Sequence, residues 1–333
     1  MVGLPQRVRI ACLLLGGLLF VFTAVCFVAE PDACAAVTAW PPWAWAVPGL
    51  LLTLLGCRSR SRRFVFAVLC AWAVYGLVLS EEPKSMLLGP VRNHFTSPVP
   101  RSQVLRIASL NCAVGNAAAA NEVIPHHPDV VLLQESPSRR HVEVLGQVLF
   151  GKRACVAWGA DCSVIAEGDI IPDPSAHDMP VCANAVRVRL KRGVEALLMS
   201  VRLSPPVFGT DFSSSAYWRA QTAQRRTHRR ELRAIATWLD AHSDDLPVVA
   251  GGDFNAPGWD GALKELPSRL RDTFLEAGIG CGNTVLNDLP VLRFDQIWAS
   301  RGFRVLSVRA YETRNSDHRL VVCDLALPSR DKE

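Results

Sequence analysis

Hydrophobicity in this chain is segregated, and no single soluble globule accommodates the result. Three runs in the first eighty residues carry no charged side chain: Ile10–Ala29 with twenty residues, Ala33–Cys57 with twenty-five and Phe64–Ser80 with seventeen. A helix needs roughly 20 apolar residues to cross the ~30 Å hydrocarbon core of a bilayer. The runs therefore predict three transmembrane helices within residues 1–80. The third is short enough that a buried core helix competes with it. Arg7 and Arg9 ahead of the first run also suit the start of a cleaved signal peptide. Two further apolar runs behind it favour an uncleaved anchor.

Arginines orient these spans. Arg7 and Arg9 precede the first, and Arg58, Arg60, Arg62 and Arg63 lie between the second and third. The loop between the first two carries Glu30 and Asp32 and no basic residue. Basic residues concentrate on the cytoplasmic side. The pattern predicts a multi-pass protein of the cell membrane, with everything after Ser80 extracytoplasmic. Trp40, Trp43 and Trp45 fit an interfacial belt at the outer end of the second span. The arginine cluster also resembles a nucleic-acid patch, but its confinement between apolar runs argues against that.

Charge follows the same division. The chain has a net charge of +5, yet residues 101–333 hold 28 Lys+Arg against 27 Asp+Glu. A domain that grips a long duplex needs a basic excess. This one is nearly neutral, which favours a small or lipid phosphate over polymeric nucleic acid. Of the eleven cysteines none shows zinc-ligand spacing. Cys155 and Cys162 are spaced to pair across a short loop in an oxidising compartment, whereas Cys112 and Cys323 read as buried thiols.

Residues 81–103, with Pro83, Pro90, Pro98 and Pro100, read as an extended linker, and 104–333 as one catalytic domain. Strands are expected at Leu105–Leu110, at Val130–Leu133 as a run buried on both faces, at Val248–Ala250, at Phe294–Trp298 and at Leu320–Leu325. Val186–Leu190 and Ala196–Val201 read as a hairpin around Lys191-Arg192-Gly193. Tyr217–Ala241 reads as a helix with Leu232, Ile235, Ala236 and Leu239 on its apolar face. Arg225, Arg226, Arg229, Arg230 and Arg233 then form a solvated basic face.

Several strand ends deliver chemistry, as α/β sheets commonly do. Asn111 ends the first strand, and Glu135 follows Val130–Leu133 as a hard-oxygen ligand suited to Mg²⁺. Gly251-Gly252-Asp253-Phe254-Asn255 lets backbone approach a ligand and then offers a carboxylate and an amide. An Asx-rich turn is the bland alternative. Asp317-His318 sets a carboxylate beside an imidazole, and Asp295 is placed to orient that ring.

Taken in order, these segments resemble the endonuclease/exonuclease/phosphatase superfamily over Leu105–Leu327. The resemblance implies a four-layer α/β sandwich, two mixed β-sheets flanked by helices. It assigns Asn111, Glu135 and Asp317 to a Mg²⁺ ion, with Mn²⁺ as an alternative. Asp253 and Asn255 would polarise the attacking water and bind the scissile phosphate, and Asp295 would support the catalytic His318. One position departs. Where the family carries a His in a strand ending Thr-His-Leu, this chain reads Ser200-Val201-Arg202-Leu203. Arg202 can clamp a phosphate but cannot serve as a general acid.

The anchored architecture is similar to membrane-bound bacterial members associated with glycopeptide resistance and envelope lipid phosphates. The expectation is an extracytoplasmic, metal-dependent phosphoesterase cleaving a phosphate ester or pyrophosphate on a lipid-linked substrate. A nuclease acting on DNA or RNA is the alternative, and a non-catalytic phosphate sensor a third. The partners implied are the bilayer and a phosphorylated small-molecule or lipid substrate, with nucleic acid less favoured and no oligomeric state implied.

Overall fold

The computed structural model describes residues 5–57, 62–95, 99–173, 175, 178–242 and 246–327. The chain divides into two compact units. One takes the first 84 residues with Val207–Arg225 and Trp259–Gly261; the other takes the remainder.

In the first unit, α1 (Gln6–Ala29), α2 (Ala35–Thr38), α3 (Pro42–Leu55) and α4 (Arg62–Leu79) follow one another. Among the described residues only α1 and α4 are each long and apolar enough to cross a membrane, where three such helices were expected. The broken one is the middle run. Pro41 adopts an extended ψ of 148°, and α3 starts afresh at Pro42 with only 14 residues. Fourteen residues at 1.5 Å each rise about 21 Å, short of the hydrocarbon thickness. Proline here removes backbone donors and ends helices. Arg58 and Arg60 of the basic loop lie outside the described residues, whereas Arg62 and Arg63 begin α4.

Small residues let α3 pack against α1. A Cβ on Gly16 would lie 2.9 Å from Thr53 Oγ1, and one on Gly56 would lie 2.9 Å from the Arg9 carbonyl. Later residues of α3 thus meet earlier residues of α1, so the two run antiparallel. Trp72 fills the space left by Gly49, and Phe20, Trp72 and Tyr75 meet edge-on at centroid distances of 5.1–6.1 Å. Leu18 and Phe66, at 67% and 69% exposure, point outward, as lipid-facing side chains do.

The segment after α1 is tied to residues far along the chain. Trp259 Nε1 donates to the Thr38 carbonyl at 2.8 Å, and Thr222 Oγ1 donates to the Asp32 carbonyl at 3.1 Å. Arg225, fully buried, pairs with Asp260 at 3.0 Å and donates to the Thr38 hydroxyl.

Next comes α5 (Glu82–Phe95), where an extended linker was expected. Pro83 sits in its first turn, where a missing N–H costs nothing.

The second unit contains β1 (Val104–Asn111), α6 (Ala117–Asn121), β2 (Val130–Gln134), α7 (Arg139–Phe150), β3 (Ala154–Ala157), β4 (Cys162–Glu167), β5 (Asp169–Ile171), β6 (Ala183–Arg189) and β7 (Glu195–Arg202). It continues with the second half of α8 (Ser215–Asp240), then β8 (Val248–Asp253), β9 (Leu270–Asp272), α9 (Thr273–Ala277), β10 (Asp295–Ser300), β11 (Arg304–Tyr311) and β12 (Leu320–Ala326). These strands form two six-stranded sheets, ordered β11-β12-β1-β2-β4-β3 and β5-β6-β7-β8-β10-β9. Each is mixed, with one parallel pair (β1 with β2, β7 with β8) among antiparallel neighbours.

The sheets pack face to face. Ile107, Leu132, Val164, Leu198, Val249 and Ile297 belong to the shared core, and Gly251 leaves room for the Leu132 side chain. Leu232, Ile235 and Leu239 of α8 cover the outer face of β7 and β8. Val142 and Leu145 of α7 cover β1 and β2. This is the expected four-layer sandwich.

The α8 arginines are not a uniformly solvated face. Arg225 is buried, and Arg229 and Arg233 both grip Glu265 at 2.8 and 2.7 Å. Nor do Cys155 and Cys162 pair. Cys155 lies opposite Ala166 and Cys162 opposite Gln134, which puts them near opposite ends of β4, and both are free buried thiols.

Candidate functional site

Period-two alternation carries the shared core directly into the site. Leu105, Ile107, Ser109 and Asn111 follow one another on the inner face of β1. The same rule places Gln134, Arg202, Asp253 and Asp295 on the inner faces of β2, β7, β8 and β10. Asn111 lies in register with Gln134, Arg202 with Asp253, and Asp253 with Asp295. Just below, a polar rung crosses between the sheets, Gln134 Nε2 donating to Ser200 Oγ at 3.0 Å.

Alternation alone would turn Glu135 outward. Its φ of +44° reverses the chain instead and returns the carboxylate to the crevice. There Asn111 Nδ2 reaches Glu135 Oε1 at 3.3 Å and Asp253 Oδ2 at 3.0 Å. The Val114 N–H donates to Glu135 Oε2 at 2.5 Å, from a loop in which Ala113, Val114 and Gly115 all have positive φ. Strain of this kind in non-glycine residues concentrates at functional sites. Gly252 is obligatory: at φ +152° a Cβ would sit 1.9 Å from the Val201 carbonyl.

Asp253 Oδ1 accepts the Asn255 N–H at 2.9 Å, and Asn255, itself at φ +48°, donates from Nδ2 to the Leu203 carbonyl at 2.8 Å. His318 Nδ1 meets Asp295 Oδ2 at 2.8 Å. Ser316 locks the approach to β12 by accepting the His318 N–H at 3.0 Å and donating to the Asn111 carbonyl at 2.7 Å. Arg202 bridges two carboxylates, Glu135 at 2.8 Å and Asp161 at 3.1 Å. Seven of the eight expected residues therefore converge. The eighth, Asp317, is exposed beside His318 and makes no side-chain hydrogen bond among the described residues.

Asp161, Gln134 and Ser316 were not singled out from the sequence. Asp161 stands just before β4, whose CSVIAE sequence shows no clean alternation. For Gln134 the usable signal was its inner-face position, one residue ahead of Glu135.

Burial and charge tune these groups. Burial, reinforced by the neighbouring Asp295 charge, pushes Asp253 up to about 6 against the pull of His318. Burial works against a charged His318, but the charge and hydrogen bond of Asp295 override it, helped by Asp253 and Asp317, and raise it to about 10. Burial likewise opposes ionisation of Glu135, yet the Val114 N–H, Arg202 and Asn111 together hold it below the usual carboxylate range. At neutral pH the site thus presents an ionised Glu135, an imidazolium at His318 and, at Asp253, a carboxylate poised to take a proton.

The donor set suits a hard divalent cation. Asp253, Asp295 and His318 bring ligand-type atoms within 4.8 Å of one another, but an imidazolium has no lone pair for a metal, which leaves the carboxylates as donors. Asp295 Oδ1 is buried with no donor among the described residues. The Asn111 amide lies between Glu135 and Asp253, its Oδ1 accepting the Ala113 N–H at 3.0 Å.

The model of the Endonuclease/Exonuclease/phosphatase family matches residues 108–318. The chain belongs to this family. Solved structures agree in fold. A family protein from Bacteroides thetaiotaomicron aligns with TM-score 0.54 and 15% identity over 70% of this chain and 100% of its own. One from Bacteroides vulgatus gives 0.53 and 15%, over 67% and 99%. A functionally unknown conserved protein from Enterococcus faecalis V583 gives 0.52 and 15%, with the same coverage. No curated protein sequence matches. Members of the family are phosphoesterases or nucleases, hydrolases of phosphate esters that generally depend on a divalent metal.

Proposed function

We propose that the protein is a membrane-anchored, extracytoplasmic phosphoesterase that cleaves a phosphate ester or pyrophosphate on a lipid-linked substrate. The convergence of Glu135, Asp253, Asp295 and His318 on one crevice carries the hydrolytic part of this reading. Asn111 and Glu135 would hold a Mg²⁺ ion, Mn²⁺ serving as an alternative, with the exposed Asp317 reaching it through water. Bound there, the cation supplies charge neutralisation at the phosphoryl oxygens. Asp253 takes the proton of the attacking water, its raised affinity for protons matching that task. His318, kept cationic by Asp295, donates a hydrogen bond to a phosphoryl oxygen, and Asn255 does the same with its remaining amide hydrogen. Arg202 offers a permanent charge and a forked donor set where relatives carry a His.

Orientation rests on two observations. The antiparallel packing of α3 on α1 brings Gly56 back to the level of Arg9. The helix–break–helix segment Ala35–Leu55 is read as one interrupted return crossing, which keeps Arg9, Arg62 and Arg63 on the N-terminal side. The loop after α1 is bonded to Thr222, Arg225 and Trp259, and this supports assigning those segments to the opposite side. A lipid-linked substrate follows from that anchoring and from the near-neutral charge of residues 101–333.

The test is purified full-length protein with Mg²⁺ screened against polyprenyl pyrophosphate, inositol phosphates, sphingomyelin and single-stranded DNA. Preferential hydrolysis of a lipid phosphate supports the reading; turnover of DNA alone replaces it with a nuclease. Protease added to spheroplasts should digest the catalytic domain, and full protection would reverse the topology.

A further inference from the structure

The structure contains a cavity beside the catalytic crevice that the hydrolytic reading does not use. It measures about 590 Å³, within the usual range for a small-molecule site. Arg202, Leu203 and Ser204 form one wall at the end of β7, and Thr227 and Arg230 of α8 form the facing one. Arg202 is shared, since its guanidinium also touches Glu135. Its buried Nε–H has no acceptor among the described residues.

Charge pairing singles out Arg230. Asp161 in this lining is already bound to Arg202, and Glu231 accepts both the N–H and the hydroxyl of Ser204. Along α8, Arg225 is satisfied by Asp260, and Arg229 and Arg233 by Glu265. Arg230 has no carboxylate partner among the described residues; its Nη2 donates only to Thr227 Oγ1 at 3.0 Å. An uncompensated guanidinium fixed by a hydroxyl on a cavity wall is a forked donor for an anion. Pro180, Val181 and Pro205 supply apolar surface in the same lining.

We propose that this cavity is a second-phosphate subsite. It holds the phosphate adjacent to the scissile one, with Arg230 and Thr227 binding its oxygens and Arg202 spanning both groups. The substrate class is therefore a diphosphate ester rather than a simple monoester. The proposal rests on the phosphoesterase reading and deepens it.

Two measurements on the full-length protein with saturating Mg²⁺ test it. In calorimetry, inorganic pyrophosphate should bind at least tenfold more tightly than orthophosphate, and Arg230→Gln should abolish that preference while leaving the thermal midpoint within a few degrees. In kinetics, the kcat/KM ratio for a diphosphate ester over the monophosphate ester of the same alcohol should fall about tenfold in Arg230→Gln, mainly through KM. Equal affinity for the two anions in the wild type, or an unchanged preference in Arg230→Gln, would overturn the subsite. Should the wild type hydrolyse neither ester, the phosphoesterase reading fails, and the calorimetric comparison still decides what the cavity binds.

Discussion

Replacing Asp295 with Asn removes a charge while keeping an acceptor of the same shape for His318 Nδ1. In the wild type that carboxylate is the main reason His318 moves from its ordinary 6.5 to about 10. A displacement of that size corresponds to about 5 kcal/mol in favour of the imidazolium, at 1.36 kcal/mol per unit. In Asp295→Asn, burial remains and opposes the charge that Asp253 and Asp317 still favour, so His318 should titrate well below about 10. Selective ¹⁵N-histidine labelling of the full-length protein in detergent reads this directly. Stability gives an independent check. A histidine whose folded pKa exceeds its unfolded value contributes stability that is complete below about pH 6.5 and is lost as the pH rises through about 10. Asp253 has the opposite effect: its raised pKa is a cost that sets in between its ordinary 3.8 and about 6 and is constant above that. The window from pH 7 to 8 isolates His318, because the buried thiols, raised above their ordinary 9.0, add their own loss at higher pH. Wild-type unfolding free energy should decline across it by about 1 kcal/mol, and that of Asp295→Asn should decline less. At pH 7.5 the variant should lose about a hundredfold or more in kcat/KM, a typical loss for a positioned acid–base group. A His318 that stays cationic at pH 8 in the variant, or parallel stability curves, would refute the reasoning.

Three other perturbations follow from the same geometry. Glu135→Ala should weaken Mg²⁺ binding at least tenfold in calorimetry and abolish hydrolysis, since it removes the carboxylate that the Val114 N–H, Asn111 and Arg202 hold ionised. Gly252→Ala should lower the thermal midpoint sharply or prevent folding, because the new Cβ meets the Val201 carbonyl at 1.9 Å; a midpoint within 2 °C of wild type, a shift of roughly half a kcal/mol, would contradict the strand geometry. Arg225→Ala should cost about 3 kcal/mol in denaturant unfolding by removing a fully buried guanidinium that pairs with the buried Asp260, and Arg225→Ala with Asp260→Ala should recover part of that loss.

How much the sequence disclosed depended on how local each signal was. Val130–Leu133 and Val248–Ala250 are uninterrupted apolar runs bounded by polar or glycine residues, and both are core strands. The residues at their ends were legible for the same reason, because a strand that stops at the edge of a core must deliver its next side chain into a crevice. Pairings between distant segments were not legible. Nothing in the local pattern of α8 separates Arg225, buried against Asp260, from Arg230, exposed on the cavity wall; thirty-five residues of chain separate the first pair. Asp161 escaped notice likewise, since its role exists only through Arg202 on the other sheet. Composition misled at Ala33–Cys57. A charge-free run meets the length criterion for a membrane helix, yet Pro41 and Pro42 divide it, and backbone geometry outweighed hydropathy there.

The central claim is that a buried carboxylate at Asp253 and a divalent cation act together on a phosphate ester. It is tested most directly by following hydrolysis of bis(p-nitrophenyl) phosphate by the full-length protein with Mg²⁺, with EDTA, and in the isosteric Asp253→Asn variant. The account predicts measurable wild-type turnover, its loss in EDTA with recovery on adding Mg²⁺, and a fall of about a hundredfold or more in Asp253→Asn at an unchanged thermal midpoint. Turnover that persists in EDTA, or that survives Asp253→Asn, would contradict it.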